Sequence, residues 1–433
     1  MFRLEVGSFP VRDVRLDGRT GWEDGVLTVD RDELLGMVRE DPRIGWASLE
    51  AVRPGESVRV VNVYDVWQPM AKVEGPGQTY PALSGRDTAA VGQGRTHRLT
   101  GVGVVECSGS AGSFGRAAPG TDRVDNIPRG GFFDMSGPGS RVPYGRLNNL
   151  CLAMERTDEV SDEDWEEARR AACLRLCDRL AETVRRLEPT EREVFDTTAP
   201  SGGHADPALP GVVHVPMLWS RESFLGPRSG IGTAVYGLTR QSLPWLLQPT
   251  EVLDGAITRG PTWYQVNNPN VLHLARGHGR RWNFLGVIVG RTNWTAMAEK
   301  EVFAHRIAEL ARALGARGAI VTVDLRGARF VETVLSVQAL ERVGVKTVLL
   351  TLEETSEDGL APPLLLSVPE LVSVVSCGDG AVPGPFPAVE RVIGAREPSP
   401  GDFAQHPGFR GGYGEGRYWI DYYGLGRYSG VDF

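Results

Sequence analysis

From residue 211 onward the chain alternates short runs of apolar, largely β-branched residues with amphipathic helical stretches, and few architectures accept that pattern. GVVHVPML and NFLGVIVG read as buried strands. The stretch AMAEKEVFAHRIAELARALG follows as a helix and ends at Gly315, a residue suited to a left-handed cap. Strand GAIVTVDL, helix FVETVLSVQALERVG, strand KTVLLTLE and a further apolar run, LVSVVSCG, complete the series. Such βαβ alternation predicts a mainly parallel sheet covered on both faces. Ligands of these sheets sit at the carboxyl ends of the strands. That rim would hold Gly290 to Trp294, Asp324 to Arg329, Glu353 with Glu354, and Cys377 to Asp379.

The first part of the chain, to about residue 115, reads differently. Runs such as VLTV, SVRVVNVYDV and HRLTGVGVVEC are split by Gly and Pro turn signals, which predicts short strands. One helix interrupts them, RDELLGMVRE, with Asp30 placed to cap its start. A stretch from Ser108 to about Val142, rich in Gly, Ser and Pro, reads as a functional or mobile loop. A helix follows from Ser161 or Asp162, with apolar positions Trp165, Ala172, Leu176 and Leu180 on one face. Asp196 to Leu209 reads as a loop, and the tail after about Pro398 is dense in Gly, Tyr and Phe. The expectation is an α/β protein in two parts: a β-rich N-terminal domain over 1–150 with the Gly-rich loop, and a Rossmann-like, mainly parallel α/β domain over 151–433.

Composition excludes several classes. No apolar run reaches the roughly 20 residues that span a bilayer, and MFRLEVGSFP lacks the basic and apolar regions of a secretory signal. A net charge of −8 argues against a nucleic-acid partner. The five cysteines, Cys107, Cys151, Cys173, Cys177 and Cys377, are odd in number and scattered, which fits a reducing cytoplasm. Cys173 and Cys177 share a helix face and read as small buried residues. No HExxH or CxxC metal pair occurs, and neither do a P-loop lysine, a GxGxxG after a strand or a Gly-x-Ser-x-Gly elbow. Lys300, flanked by Glu299 and Glu301, reads as a solvated helix side chain rather than an imine-forming one.

A set of motifs runs in order along nearly the whole chain: FRLEVGSFPVRDV, DGVLTVDRDEL, RPGESVRVVNVYDVWQP, VGQGRTHRLTG, DMSGPG, PTEVLDGAITRGPTWYQVNNP, LERVGVKTVLLTLEE and GLGRYSGVDF. Together they resemble the proprotein subunit of component B of glycine, sarcosine and betaine reductases. In that family the segment after DGAI carries a cysteine at which the chain cuts itself, and the cysteine becomes a pyruvoyl group that captures an amine. Here neither cysteine nor serine stands between Gly255 and Pro269. Thr258 and Thr262 carry hydroxyls, but elimination from threonine would leave a larger ketoacyl group. The expectation is therefore an uncut chain with no pyruvoyl cofactor.

The motifs also supply the candidate site. In VGQGRTH, Arg95 offers a planar fork for a carboxylate, Thr96 lies beside it, and His97 could pass a proton to a leaving amine. In DMSGPG, Asp134 and Ser136 precede a Gly-Pro-Gly turn where an oxyanion could be held. In the PTEVLDGAI and QVNNP runs, Glu251, Asp254, Gln265, Asn267 and Asn268 supply groups able to orient a carboxylate or carbonyl. The resemblance implies a substrate-binding subunit that works in a hetero-oligomer. Its partner would be a component B-like subunit bearing a cysteine or selenocysteine, and the pair would cleave a C–N or related C–S bond reductively in a small carboxylate-bearing substrate. The other reading is a non-catalytic structural or small-molecule-binding subunit, recruited to a specialised biosynthetic pathway.

Overall fold

The computed structural model describes residues 3–108, 131–140, 142–197, 206–219, 233–238, 244–292, 296–324, 330–353, 364–379, 388–396 and 429–431. Most of the Gly-rich stretch after Ser108, nearly all of the aromatic tail, and the rim positions 293–295, 325–329 and 354 lie outside these residues.

Two larger sheets build most of the N-terminal part, beside a small three-stranded one of Asp13–Arg15, Val26–Thr28 and Gly21–Glu23. The first orders its strands Glu191–Asp196, Arg3–Pro10, Gly94–Thr100 and Met70–Glu74. Arg3–Pro10 runs parallel to Gly94–Thr100 and antiparallel to Glu191–Asp196. The second orders Gly131–Asp134, Val58–Trp67, Val102–Ser108, Asn148–Arg156 and Ile44–Val52, and Arg391–Ile393 pairs in parallel with Val58–Trp67. The Val58–Trp67 strand carries an irregularity: Val63 faces Cys107 and Asp65 faces Glu106, so Tyr64 is an extra residue. A bulge of this kind re-aims the side chains around it, and here it sets two carboxylates opposite each other.

The helices of this part form where their caps and apolar spacing place them. Arg31–Arg39 starts at Asp30, whose side chain accepts from the N–H groups of Asp32 and Glu33. Asp162–Glu182 starts at Ser161, which accepts from the Asp164 N–H. Its buried stripe includes Trp165, Ala172, Leu176 and Leu180, and Cys173 and Cys177 pack in the same core. The division expected at residue 150 does not coincide with the sheets. It falls inside the Asn148–Arg156 strand, while Glu191–Asp196 and Arg391–Ile393 still belong to the N-terminal sheets.

The C-terminal sheet has seven strands in the order Trp245–Leu247, Asn283–Thr292, Gly211–Trp219, Gly318–Val323, Lys346–Glu353, Val374–Asp379 and Ser429–Val431. Its five central strands are mutually parallel, and both edge strands are antiparallel. This α/β sheet matches the alternation of the sequence, and it is mixed, with parallel central strands between two antiparallel edges. Helices Met297–Ala313 and Phe330–Arg342 pack on one face over Val213, Val215, Val321 and Leu349. Toward the N-terminal part, one apolar cluster runs from Val60 and Phe133 through Val252 and Ile257 to Val287 and Val289. Lys300 is mostly buried rather than solvated, because Glu332 on the neighbouring helix takes its ammonium at 3.1 Å. No helix among the described residues is long and apolar enough to cross a membrane.

Candidate functional site

The segment from Pro249 to Asn270 is wedged between the N-terminal sheets and the C-terminal sheet, and nearly all of it is buried. It opens with the short helix Pro249–Leu253, whose start is closed by a reciprocal capping box between Gln248 and Glu251. Asp254 ends this helix with its side chain fully buried. It accepts hydrogen bonds from Thr96 Oγ1 at 2.6 Å and from the Gly92 N–H at 2.7 Å, and its carboxylate is ion-paired with Lys72 Nζ. Lys72 also donates to Thr96 Oγ1 at 3.3 Å. Two strands of the first sheet and the Pro249–Asn270 segment therefore meet at one carboxylate. Breaking a pair buried this deeply costs about 3–5 kcal/mol, mostly because the survivor is left as an uncompensated charge.

Glu251 lies alongside. It accepts from Tyr236 Oη at 2.6 Å and from the Gln248 N–H at 2.6 Å. Burial raises its pKa, and the Tyr236 bond opposes that shift. Tyr236 in turn accepts from the Val91 N–H at 3.2 Å. Gly92 makes this junction fit: its φ is +87°, and a Cβ there would lie 2.6 Å from the Glu251 nitrogen.

Further along, Ile257–Thr258 pairs with Ala234–Val235, and Arg259 donates to Asp324 at 2.6 Å where the Gly318–Val323 strand ends. Thr262 is held by Asp65, which accepts from its N–H at 2.6 Å and its hydroxyl at 2.7 Å. Asp65 keeps a little open surface but is surrounded by protein. Burial and the facing Glu106 push its pKa up to about 7, against the bonds from Thr262. Glu106 itself accepts from Arg169 Nε at 2.9 Å and Trp67 Nε1 at 3.2 Å.

Of the residues expected from sequence, Thr96, Glu251 and Asp254 come together here. Gln265 is fully buried in the same segment. Asn267 donates to Gln68 Oε1 at 3.2 Å and to the Trp263 carbonyl at 2.9 Å. Asn268 caps the helix Pro269–Gly277 by accepting from Asn270 and Val271. The remaining candidates lie elsewhere. His97 alternates to the opposite side of its strand from Thr96, stacks near Phe9 and donates from Nδ1 to the Val184 carbonyl at 3.0 Å. Burial lowers its pKa, so it is a neutral core imidazole at physiological pH. Arg95 is ion-paired with Glu5 at 2.8 Å and Glu74 at 3.4 Å. Asp134 is buried against Arg59, at 2.7 and 3.0 Å in a bidentate pair, and Ser136 follows it on the turn leading to Pro138–Ser140.

Lys72, Gly92, Tyr236 and Asp65 were not among the residues expected.

The resident group of the resembled family does not fit these residues. A pyruvoyl group needs a cysteine or serine nucleophile, and Thr250 to Asn268 has neither. The Thr262 hydroxyl is already donated to Asp65. Four of the five cysteines are buried in the core, where burial raises the thiol pKa.

Residues 2–405 match the family of glycine/sarcosine/betaine reductase component B subunits, and the chain belongs to that family. It is 32% identical over 404 residues to the sarcosine reductase complex component B subunit alpha of Peptoclostridium acidaminophilum, covering 90% of this chain and 89% of that one. It is 33% identical over 405 residues to the glycine reductase complex component B subunits alpha and beta of Acetoanaerobium sticklandii, with 90% and 89% covered. The betaine reductase complex component B subunit alpha of P. acidaminophilum is 32% identical over 411 residues, with 91% and 88% covered. No solved structure matches the chain.

Proposed function

We propose that this chain is the substrate-binding subunit of a reductase complex that cleaves a C–N bond, or a related C–S bond, without a pyruvoyl group. The observation that carries this reading is the Pro249–Asn270 segment. It corresponds to the family's processing region, lacks both Cys and Ser, and is buried as a continuous stretch anchored by Asp254 and Thr262. The names of the relatives are in keeping with it. The glycine reductase relatives are named as subunits alpha and beta, while the sarcosine and betaine relatives are each named as a subunit alpha alone.

A pyruvoyl carbonyl activates an amine by condensing with it, and a quaternary ammonium has no N–H with which to condense. A substrate with a built-in leaving group suits this chain. A thiolate or selenolate on the partner subunit attacks the carbon bearing nitrogen. The C–N bond breaks, its electron pair leaves with the neutral amine, and a carboxymethyl thioether or selenoether remains on the partner. Two electrons and a proton from a dithiol reductant, which becomes a disulfide, would then break the new C–S or C–Se bond, releasing the carboxymethyl group as acetate and returning the partner's thiolate or selenolate. The seven-stranded sheet contributes the Asp324–Arg259 contact, at the end of the Gly318–Val323 strand, the carboxyl-end rim where open α/β sheets bind ligands.

The test is mass spectrometry of the protein purified gently from its own cell. The expected result is an uncut chain of 47.1 kDa accompanied by a chain bearing a reactive thiol or selenol, which gains a carboxymethyl adduct on exposure to glycine betaine. Two fragments split between Thr258 and Thr262 would overturn the pyruvoyl-free reading. An uncut chain with no companion would favour a small-molecule binder.

A further inference from the structure

The first sheet presents to the Asp254 site a row of side chains that alternates away from His97. Across it Val6, Thr96 and Lys72 stand in register, and one step along stand Ser8, Arg98 and Met70. Thr96 and Arg98 are two residues apart on one strand, so their side chains rise from the same face about 6–7 Å apart.

Among the described residues, four cations around this site are taken up by carboxylates. Lys72 is held by Asp254, Arg95 by Glu5, Arg259 by Asp324 and Arg276 by Glu193. Arg98 is different. Among the described residues its sole hydrogen bond runs from Nε to Ser8 Oγ at 3.2 Å, and no carboxylate lies within ion-pair distance. The nearby charges are Glu193, already bidentate to Arg276 at 2.7 and 2.9 Å, and Glu191, which stands on the exposed edge strand. Arg98 keeps some open surface, yet protein surrounds it on nearly every side, and this burial lowers its pKa. A guanidinium in such a place is poorly compensated by the protein alone.

We propose that Arg98 is the carboxylate-recognising residue of the substrate site. With Nε held by Ser8, its two terminal nitrogens form the end of the fork, which matches the two oxygens of a carboxylate. Ser8 fixes the plane of the guanidinium, and the Thr96–Asp254–Lys72 cluster fills the neighbouring position on the same face. The ligand class is a small amino acid or betaine whose carboxylate sits on Arg98. Its nitrogen-bearing carbon stays one or two bonds away, free for attack from the partner. This inference rests on the proposed function and assigns the residue that reads the acid end of the substrate. It moves that role from Arg95 to Arg98.

The experiment is isothermal titration of the full chain, co-purified with its partner, using glycine betaine, sarcosine and glycine, with tetramethylammonium as a probe lacking the carboxylate. Arg98→Gln removes the charge, and Arg98→Lys keeps it while losing the fork. Loss of a charge-assisted bidentate contact should weaken binding of the carboxylate compounds roughly 10- to 100-fold. Arg98→Lys should fall between wild type and Arg98→Gln, and any response to tetramethylammonium should stay the same in all three proteins. Steady-state assays should place the loss in KM more than in kcat, a split that a merely structural role would not give. If a carboxylate compound binds the wild type and both variants equally, the Arg98 assignment is overturned and the proposed function stands. If none binds the wild type, both fall. Should Arg98→Gln fail to fold, the comparison of Arg98→Lys with wild type still decides.

Discussion

Asp65 shows at the scale of one residue how burial and hydrogen bonding compete. Its carboxyl faces Glu106 across a bulge, and the Thr262 bonds do not fully offset the repulsion and desolvation, so its pKa lies at about 7. In the unfolded chain an aspartate titrates near about 4. The folded protein therefore holds an extra proton between these values, and stability is lost as pH rises through that window. Asp65→Asn is neutral throughout. Its amide oxygen can accept from the Thr262 and Val66 N–H groups, and its NH2 can donate to the Thr262 hydroxyl. The melting temperature of Asp65→Asn should match wild type at about pH 4 and exceed it by a margin that grows until pH passes about 7. A difference that does not change with pH would show that Asp65 titrates normally. Arg98 belongs at this scale too, since its proposed role depends on which partner it lacks rather than on its motif.

Among the elements, the contact between the Gly92 turn and the Pro249–Leu253 helix leaves no room for a side chain. A methyl group at Gly92 would meet backbone atoms of Thr250 and Glu251, which cannot swing aside as a side chain can. Gly92→Ala should therefore cost about 2 kcal/mol or more, combining the positive-φ penalty with displacement of the helix. Gly55 also has positive φ, at +91°, but open space around it, so Gly55→Ala should cost about 1 kcal/mol. Denaturant melts of the two variants measure the difference, and equal losses would mean the contact is looser than drawn. Much at this scale was legible in the sequence. Asp30 and Ser161 announced their helices, and apolar spacing announced the stripes beneath them. The Glu191–Asp196 strand was not legible, because four of its six residues are charged and an exposed edge strand need not alternate. Thr96, Glu251 and Asp254 could be read from motifs. Lys72 and Tyr236 could not, because what makes them part of the site is the packing of distant segments.

For the whole molecule, the apolar cluster that joins the second sheet to the seven-stranded sheet matters most. A chain divided at residue 150 into separate cores would unfold in two steps. A core continuous from Val60 to Val289 should unfold cooperatively. Calorimetry of the isolated chain should therefore give one heat-absorption peak. Two well-separated peaks would mean that the cluster does not couple the parts. The boundary was hard to read because Arg391–Ile393 returns to the second sheet across more than three hundred residues, and three residues of ordinary strand composition carry no mark of their destination.

That return has a consequence for the order in which the protein can be made. During synthesis Val58–Trp67 leaves the ribosome early, yet the Arg391–Ile393 strand beside it follows only when about nine-tenths of the chain has emerged. At a synthesis rate of roughly 5–20 residues per second, the delay lasts tens of seconds. For that time the nascent second sheet lacks one strand and stands open to pairing with another chain. High-level expression should be limited by aggregation of unfinished chains more than by the stability of the finished one.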